Sequence, residues 1–270
     1  MRQRMAIVGL SLFTVLVLLT ILAPQIAPYD PDKQDWKVRL KPPSAAHLFG
    51  TDEFGRDSFS RVLYGGRVSL AAGLIPVAIG SAAGTVIGMT AGYLGGKYDQ
   101  VLMRFLDVLM ALPGIFLALA IVGTLGPGLF NAMLAVAVVS VPGYARVVRG
   151  QVLSLRERDF VTAAVASGAS HSWILARHLF PNILSALMVQ ASLSVGFAIL
   201  TTAGLSFLGL GTQPPTSDWG EMLASGRQFL PEAWWLELFP GLFVMAAVLA
   251  VNLFGDGLRD YLDPHLSRKM

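Results

Sequence analysis

Six runs of about 20 mostly apolar residues divide this chain, and they constrain its fold more than any other feature. The runs cover residues 5–22, 68–93, 105–125, 129–148, 183–208 and 236–254. A helix of that length crosses the hydrocarbon core of a bilayer and satisfies its own backbone hydrogen bonds there. The sequence therefore predicts an all-α membrane protein with six transmembrane helices.

The composition supports lipid as the solvent of this chain. Hydrophobic residues make up 54% of the 270 residues and charged residues only 14%, against roughly 25% charged residues in soluble domains. The net charge of +3 does not indicate a nucleic-acid partner, and the absence of cysteine excludes thiolate sites and disulfides. The first run follows Arg2 and Arg4 and is longer than the hydrophobic region of a signal peptide, about 7–15 residues, so a retained span is favoured.

Orientation follows from the distribution of Lys and Arg between the loops. With a cytoplasmic N-terminus, twelve of these residues lie inside and eight outside, and seven of the eight belong to the long 23–67 loop. We therefore expect both termini in the cytoplasm. The expected organisation is an N-terminal span and extracytoplasmic loop (1–67), a core of five spans (68–258) with a cytoplasmic loop at 156–181, and a cytoplasmic tail (259–270).

The second apolar run carries a glycine at every fourth position, namely Gly80, Gly84, Gly88 and Gly92. This spacing places four positions without side chains on one helix face, where another helix can approach closely. Generic close packing explains the pattern as well as a specific functional contact does. In either case the helix is expected inside a bundle.

Motifs for catalysis are absent from the sequence. It contains no G-x-x-x-x-G-K-[ST] loop, no H-E-x-x-H pair and no G-x-S-x-G elbow. His171 and His178 lack a nearby carboxylate, so no metal site is predicted. Asp107 follows Arg104 by three residues, which favours an ion pair along one helix. No ionisable group lies near the centre of a span, which argues against a proton-driven carrier.

The 156–181 loop contains a short apolar pattern between charged ends. Asp159 can cap a helix that places Phe160, Val161, Ala164 and Val165 on one face, and Gly168 is a natural stop. Ser170 can cap a second short helix, and Pro181 suits the first turn of the fifth span. Such a helix either docks into a partner's groove or lies on lipid headgroups, and periodicity does not separate the two.

This loop resembles the E-A-A-x-x-x-G-x9-I-x-L-P loop of binding-protein-dependent ABC importer permeases. The matching positions are Thr162, Ala163, Ala164, Gly168, His178, Phe180 and Pro181. Three of them depart from the pattern, because Thr162 replaces the glutamate and His178 and Phe180 replace the apolar pair.

Further stretches resemble the dipeptide/oligopeptide/nickel group of these permeases: 47–61, 66–70, 205–211, 213–220, 252–260 and 262–264. The resemblance covers about residues 28–266. At Thr202, many peptide permeases are expected to have an acidic residue, so the resemblance does not imply a contact with peptide charge at this position.

The resemblance implies a type I importer bundle in a bacterial cytoplasmic membrane. It implies a second homologous permease, two ATPase subunits that hold ATP and Mg²⁺, and a separate binding protein that delivers the cargo. Residues 158–181 would dock on an ATPase, with Phe160, Thr162, Ala163, Ala164, Gly168 and Pro181 as the contact set. This chain would bind no cofactor and hydrolyse no ATP.

The cargo is left open between small peptides and nickel or a nickel complex. Thr201, Thr202 and Ser206 are candidates to line the pathway, with core hydrogen bonding as the alternative. An ATP-independent channel or solute carrier is the competing function, and a membrane-embedded enzyme would need catalytic groups that the sequence lacks.

Overall fold

The structure is a computed structural model that describes residues 2–262, with side chains described for residues 5–260. Its α-helices, in chain order, are α1 (Arg2–Ile21), α2 (Ala23–Ile26), α3 (Ser58–Leu94), α4 (Gly96–Met110), α5 (Gly114–Leu125), α6 (Leu129–Leu155), α7 (Asp159–Ala166), α8 (His171–Ile174), α9 (Phe180–Phe207), α10 (Trp219–Gly226) and α11 (Trp235–Leu262). The predicted tail at 259–270 lies outside the described residues beyond residue 262, as does the part of the 262–264 stretch after that point.

The apolar runs are found as helices, and the all-α membrane architecture predicted from the sequence is confirmed. Within residues 2–262, four helices are long and apolar enough to cross a membrane: Ser58–Leu94, Leu129–Leu155, His171–Phe207 and Trp235–Asp260. The pair α4 and α5 is apolar enough for a fifth span but bends by 90°. A shorter apolar helix, Met5–Ile21, accounts for the first run.

The third span is not the single straight helix that residues 105–125 predicted. The helix breaks between Met110 and Gly114. Pro113 causes the break, because it has no backbone N–H and disfavours a helical conformation at Leu112. The carbonyl of Pro113 instead accepts the first hydrogen bonds of α5, from Phe116 and Leu117.

α3 forms the centre of the bundle and packs along α6 and α9, while α1 packs along α11. At the seam between α3 and α6, a Cβ added to Gly84 would lie 2.5 Å from the Cβ of Tyr144, and one added to Gly92 would lie 3.0 Å from the Cβ of Val152. Cβ atoms added to Gly80 and Gly88 would come closer still, to Ser140 and Ala145 of α6 respectively. A side chain at any of the four would push the two helices apart.

Two ion pairs join α4 to α6. Arg149 holds Asp99 through two hydrogen bonds of 2.5 and 2.6 Å. Arg146 pairs with Asp107 at 2.5 Å. The expected pair within α4, Arg104 with Asp107, is therefore wrong, because the rotation of α4 turns Asp107 toward α6.

The other end of α3 is covered by the cap, the irregular segment of residues 27–57. Arg61 in the first turn of α3 is only 2% exposed. Its guanidinium lies 3.5 Å from a carboxylate oxygen of Asp52 in the cap and 3.2 Å from one of Glu221 in α10. Buried charges persist only when they are paired, so this network ties the cap, α3 and α10 into one unit.

Candidate functional site: an exposed apolar surface at α7 and α8

The segment from α7 to α8 turns at Gly168. Its φ of +77° is a left-handed conformation that glycine adopts without strain. The backbone N–H of Gly168 donates to Val165, and that of Ala169 donates to Ala164, which closes the end of α7. The hydroxyl of Ser170 then accepts from the backbone N–H of Trp173 and caps α8.

The underside of this segment is packed on the spans. Val161 and Ala164 of α7 are buried in one apolar cluster with residues of α3, α6 and α9, among them Met89, Val148 and Ile183. The hydroxyl of Tyr93 at the end of α3 lies 3.0 Å from His171 Nδ1. α7 is therefore packed against three spanning helices.

The upper side of the segment is open. Phe160 is 40% exposed and Trp173 is 49% exposed, and both rings lie beside His178, at centroid distances of 5.9 and 4.7 Å. The two aromatic rings flank a strip of small residues, so that together they form a shallow depression of about 580 Å³. We call the residues of this face the coupling surface: Phe160, Ala163, Ser167, Gly168 and Trp173.

The predicted contact residues do not all reach this face. Ala163 and Gly168 line the depression, and Thr162 is exposed on the neighbouring side of α7 beside Val165. Ala164 touches the depression but is only 9% exposed, since it belongs mainly to the packed underside.

Pro181 lies in the first turn of α9, as predicted, but α9 continues directly from the preceding helix. The helix runs without interruption from His171 to Phe207. A π-turn over Leu175–Leu179 precedes the proline, and the N–H of Phe180 donates to the carbonyl of Leu175. The side-chain amide of Asn182 donates to the carbonyl of His178 at 2.6 Å. The wider turn and this side-chain hydrogen bond compensate for the backbone N–H that Pro181 lacks.

The predicted pathway residues lie in the packed interior. Thr201 donates to the carbonyl of Phe197, Thr202 donates to that of Ala72, and the Ser206 hydroxyl accepts from the N–H of Thr212. All three are buried. This is the core hydrogen bonding that the sequence left as the alternative.

Two family models match most of the chain, on either side of residues 44–83. A model of the binding-protein-dependent transport system inner membrane component matches residues 84–268. A model of the N-terminal TM domain of oligopeptide transport permease C matches residues 1–43.

Curated relatives match over most of their length. The chain is 46% identical over 258 residues to the probable D,D-dipeptide transport system permease protein DdpC of Escherichia coli K12, covering 96% of this chain and 87% of the relative. It is 46% identical over 265 residues to the dipeptide transport system permease protein DppC of Alkalihalophilus pseudofirmus, covering 98% and 87%. It is 46% identical over 266 residues to the glutathione transport system permease protein GsiD of an Escherichia coli O6 strain, covering 98% and 88%.

A solved structure shares the fold. A chain of the MetNI methionine ABC transporter in an inward-facing conformation superposes with a TM-score of 0.62 at 18% identity, covering 76% of this chain and 97% of that one. The helical bundle is thus that of a type I ABC importer permease. With the family model and the relatives at 46% identity, it shows that the chain belongs to the family of binding-protein-dependent transport system inner membrane components.

Proposed function

We propose that this chain is one of two pore-forming permease subunits of an ATP-driven importer of short peptides in a bacterial inner membrane. The observation that carries the proposal is the coupling surface, an exposed apolar face whose buried underside packs on three spanning helices. Because this chain has no phosphate-binding loop, an ATP-driven importer that contains it needs an energy source on another subunit.

The coupling surface suits a groove on an ATPase subunit. Exposed aromatic side chains around a strip of small residues are typical of a short helix that docks into a partner. Val161 and Ala164 would carry the resulting movement to α3, α6 and α9. Closure of two ATPases around ATP and Mg²⁺ would then rock the spans between inward-open and outward-open arrangements.

The remaining partners and the orientation follow from this docking. The coupling surface and both termini would face the cytoplasm. The cap and α10, at the far end of α3, would face the binding protein that delivers the cargo. A second, homologous permease would complete the pore, and this chain itself would need no cofactor.

Peptides are the cargo that the relatives favour. Their names refer to dipeptides, D,D-dipeptides and glutathione, all of which contain an amide link between amino acids. The nickel alternative gains no support from these relatives.

The proposal is tested by a charge placed on the coupling surface. Ala163→Glu would bury a carboxylate against an apolar groove, which should weaken ATPase binding and lower peptide uptake about tenfold or more, equivalent to about 1.4 kcal/mol. Ala176→Glu is the matched control, because Ala176 is an exposed alanine of the same segment that does not line the depression. The measurements are co-purification of the ATPase with the permease and uptake of a labelled dipeptide.

Two outcomes would contradict the proposal. If Ala163→Glu leaves ATPase binding and peptide uptake unchanged, α7 does not dock on the ATPase and lies on lipid headgroups instead. If dipeptide uptake continues without an ATPase subunit, the chain is a channel or a solute carrier.

A further inference from the structure

A cavity of about 360 Å³ lies between α3, α6 and α9, within the membrane-spanning part of the bundle. Most of its wall is apolar, with Pro76 of α3, Val136 of α6 and Leu193 of α9 as examples. Its rim includes Met110 and Phe197, which are both exposed, so the cavity opens at the outer surface of this chain. Small-molecule sites typically have volumes of about 300–1,000 Å³ and similarly apolar walls.

Two pairs of uncharged polar residues face this cavity. Ser140 and Tyr144 are four residues apart on α6, and Gln190 and Ser194 are four residues apart on α9. Residues at this spacing share one face of a helix. Each of the two helices therefore presents two polar side chains to the same space, one turn apart.

The hydrogen bonds of these four residues are unevenly satisfied. The hydroxyl of Ser140 donates to the carbonyl of Ala137 at 2.7 Å, and that of Ser194 donates to the carbonyl of Gln190 at 2.8 Å. Tyr144 is 1% exposed, and its hydroxyl lies beside the Ser194 side chain without a well-formed hydrogen bond to any group within residues 2–262. The side-chain amide of Gln190 likewise forms no hydrogen bond in that part of the chain.

An unsatisfied buried hydroxyl is costly, by about 1–3 kcal/mol. A phenylalanine would fill the same space in this apolar wall without burying a hydroxyl. The presence of this hydroxyl in an apolar wall is explained if a ligand in the cavity forms a hydrogen bond with it.

We propose that this cavity is a transit site for the peptide cargo, in which the Tyr144 hydroxyl and the Gln190 amide bind the peptide backbone. This inference rests on the proposed peptide-import function. A primary amide offers both donors and an acceptor, and so matches the N–H and C=O of a peptide group. The hydroxyl of Tyr144 can donate to a second carbonyl.

The absence of charge in the wall defines what the site recognises. Among the side chains that the structure describes, no Asp, Glu, Lys or Arg lines the cavity, so charged side chains and termini of the cargo gain no counter-charge there. The site contacts only amide groups, which every peptide contains. The site therefore tolerates differences in cargo sequence and rejects molecules that lack an amide backbone.

The experiment uses the complete complex in cells that lack other peptide importers, and labelled dipeptides of positive, zero and negative net charge. Tyr144→Phe and Gln190→Leu should each lower uptake about tenfold, by a similar factor for all three dipeptides. Ser192→Ala is the control, because Ser192 is on α9, donates to its own helix at Val189 and does not line the cavity. It should leave uptake within about twofold.

A charge-changing variant gives a readout that a structural defect would not produce. Gln190→Glu should shift the ratio of cationic to anionic dipeptide uptake about tenfold toward the cationic peptide. Unchanged uptake in both Tyr144→Phe and Gln190→Leu, or an unchanged ratio in Gln190→Glu, would overturn the transit site while wild-type peptide uptake still supports the proposed function. If the wild-type complex imports none of the three dipeptides, the proposed function itself fails and the transit site with it.

Discussion

The two ends of α3 handle polarity in opposite ways. At its first turn, the network of Arg61, Asp52 and Glu221 buries charged side chains beneath the cap. Beyond its last turn, the coupling surface leaves Phe160 and Trp173 open to solvent. At one end, charged side chains are buried and paired within the chain. At the other end, apolar surface is exposed to solvent.

Under the proposed function, this difference separates an end that is complete in itself from an end that docks on a partner. Paired buried charges have their partners already and resist displacement, because separating them leaves an uncompensated charge. Exposed aromatic side chains gain free energy only when another surface covers them. Substitutions at the two ends should therefore fail differently, at the first turn through stability and at the coupling surface through association.

The largest effect is expected at Arg61. Arg61→Leu leaves the carboxylate of Glu221 buried without its cation, which should destabilise the chain by about 3–5 kcal/mol. Arg39→Leu is the matched control, since Arg39 is an exposed arginine of the cap, and its effect should stay within about 0.5 kcal/mol. The measurement is thermal unfolding of the detergent-purified protein.

A second substitution tests whether lost pairing is the cause. The double variant Arg61→Leu with Glu221→Leu removes both charges and should recover part of the lost stability. No recovery would show that Arg61 acts through its packing alone, and the contrast between the two ends would then not rest on charge.

A smaller effect, on association and not on stability, is expected at the coupling surface. Trp173→Ala removes an exposed aromatic ring and should weaken ATPase binding by about 2 kcal/mol, roughly 30-fold. Trp36→Ala is the control, because Trp36 is an exposed tryptophan of the cap, and it should not change ATPase binding. Titration of purified ATPase onto reconstituted permease measures both. Equal losses in the two variants would remove the distinction between the ends.

The sequence predicted those features of the molecule that depend on local composition. The six apolar runs were found because hydrophobicity sums along a segment. The helix end at Gly168 was predicted correctly because a left-handed turn needs a particular residue at one position. The break at Pro113 was visible as a proline within a run, but its 90° angle depends on packing against α6.

Features that depend on helix rotation could not be predicted in this way. Asp107 pairs with Arg146 of another helix and not with Arg104 of its own. Thr202 was a candidate for the pathway, whereas Tyr144 and Gln190 face the cavity. The available signal was the presence of large polar side chains inside apolar runs, but which of them share a cavity is fixed only by the relative rotation of α6 and α9.

The smallest expected effect is a pH dependence of stability caused by Glu53 in the cap. Glu53 is partly buried at the edge of the charge network, 3.8 Å from Arg56. Burial raises the pKa of its carboxyl, and the neighbouring charge of Asp52 raises it further. The folded chain therefore holds this proton to a higher pH than the unfolded chain does. The stability that follows is present at acidic pH and is lost as the pH rises through the raised pKa.

Glu53→Gln keeps the shape of the side chain but cannot ionise. The melting temperature of the variant, relative to that of the wild type, should therefore be higher at pH 8 than at pH 4. The rest of the sequence is identical in the two proteins, so a pH dependence of this difference reports on the Glu53 carboxyl. A difference that is the same at both pH values would mean that Glu53 is effectively solvated. The buried charge network would then end at Asp52 and Arg56, which pair at 2.6 Å, and the cap would be held by fewer charges than its burial indicates.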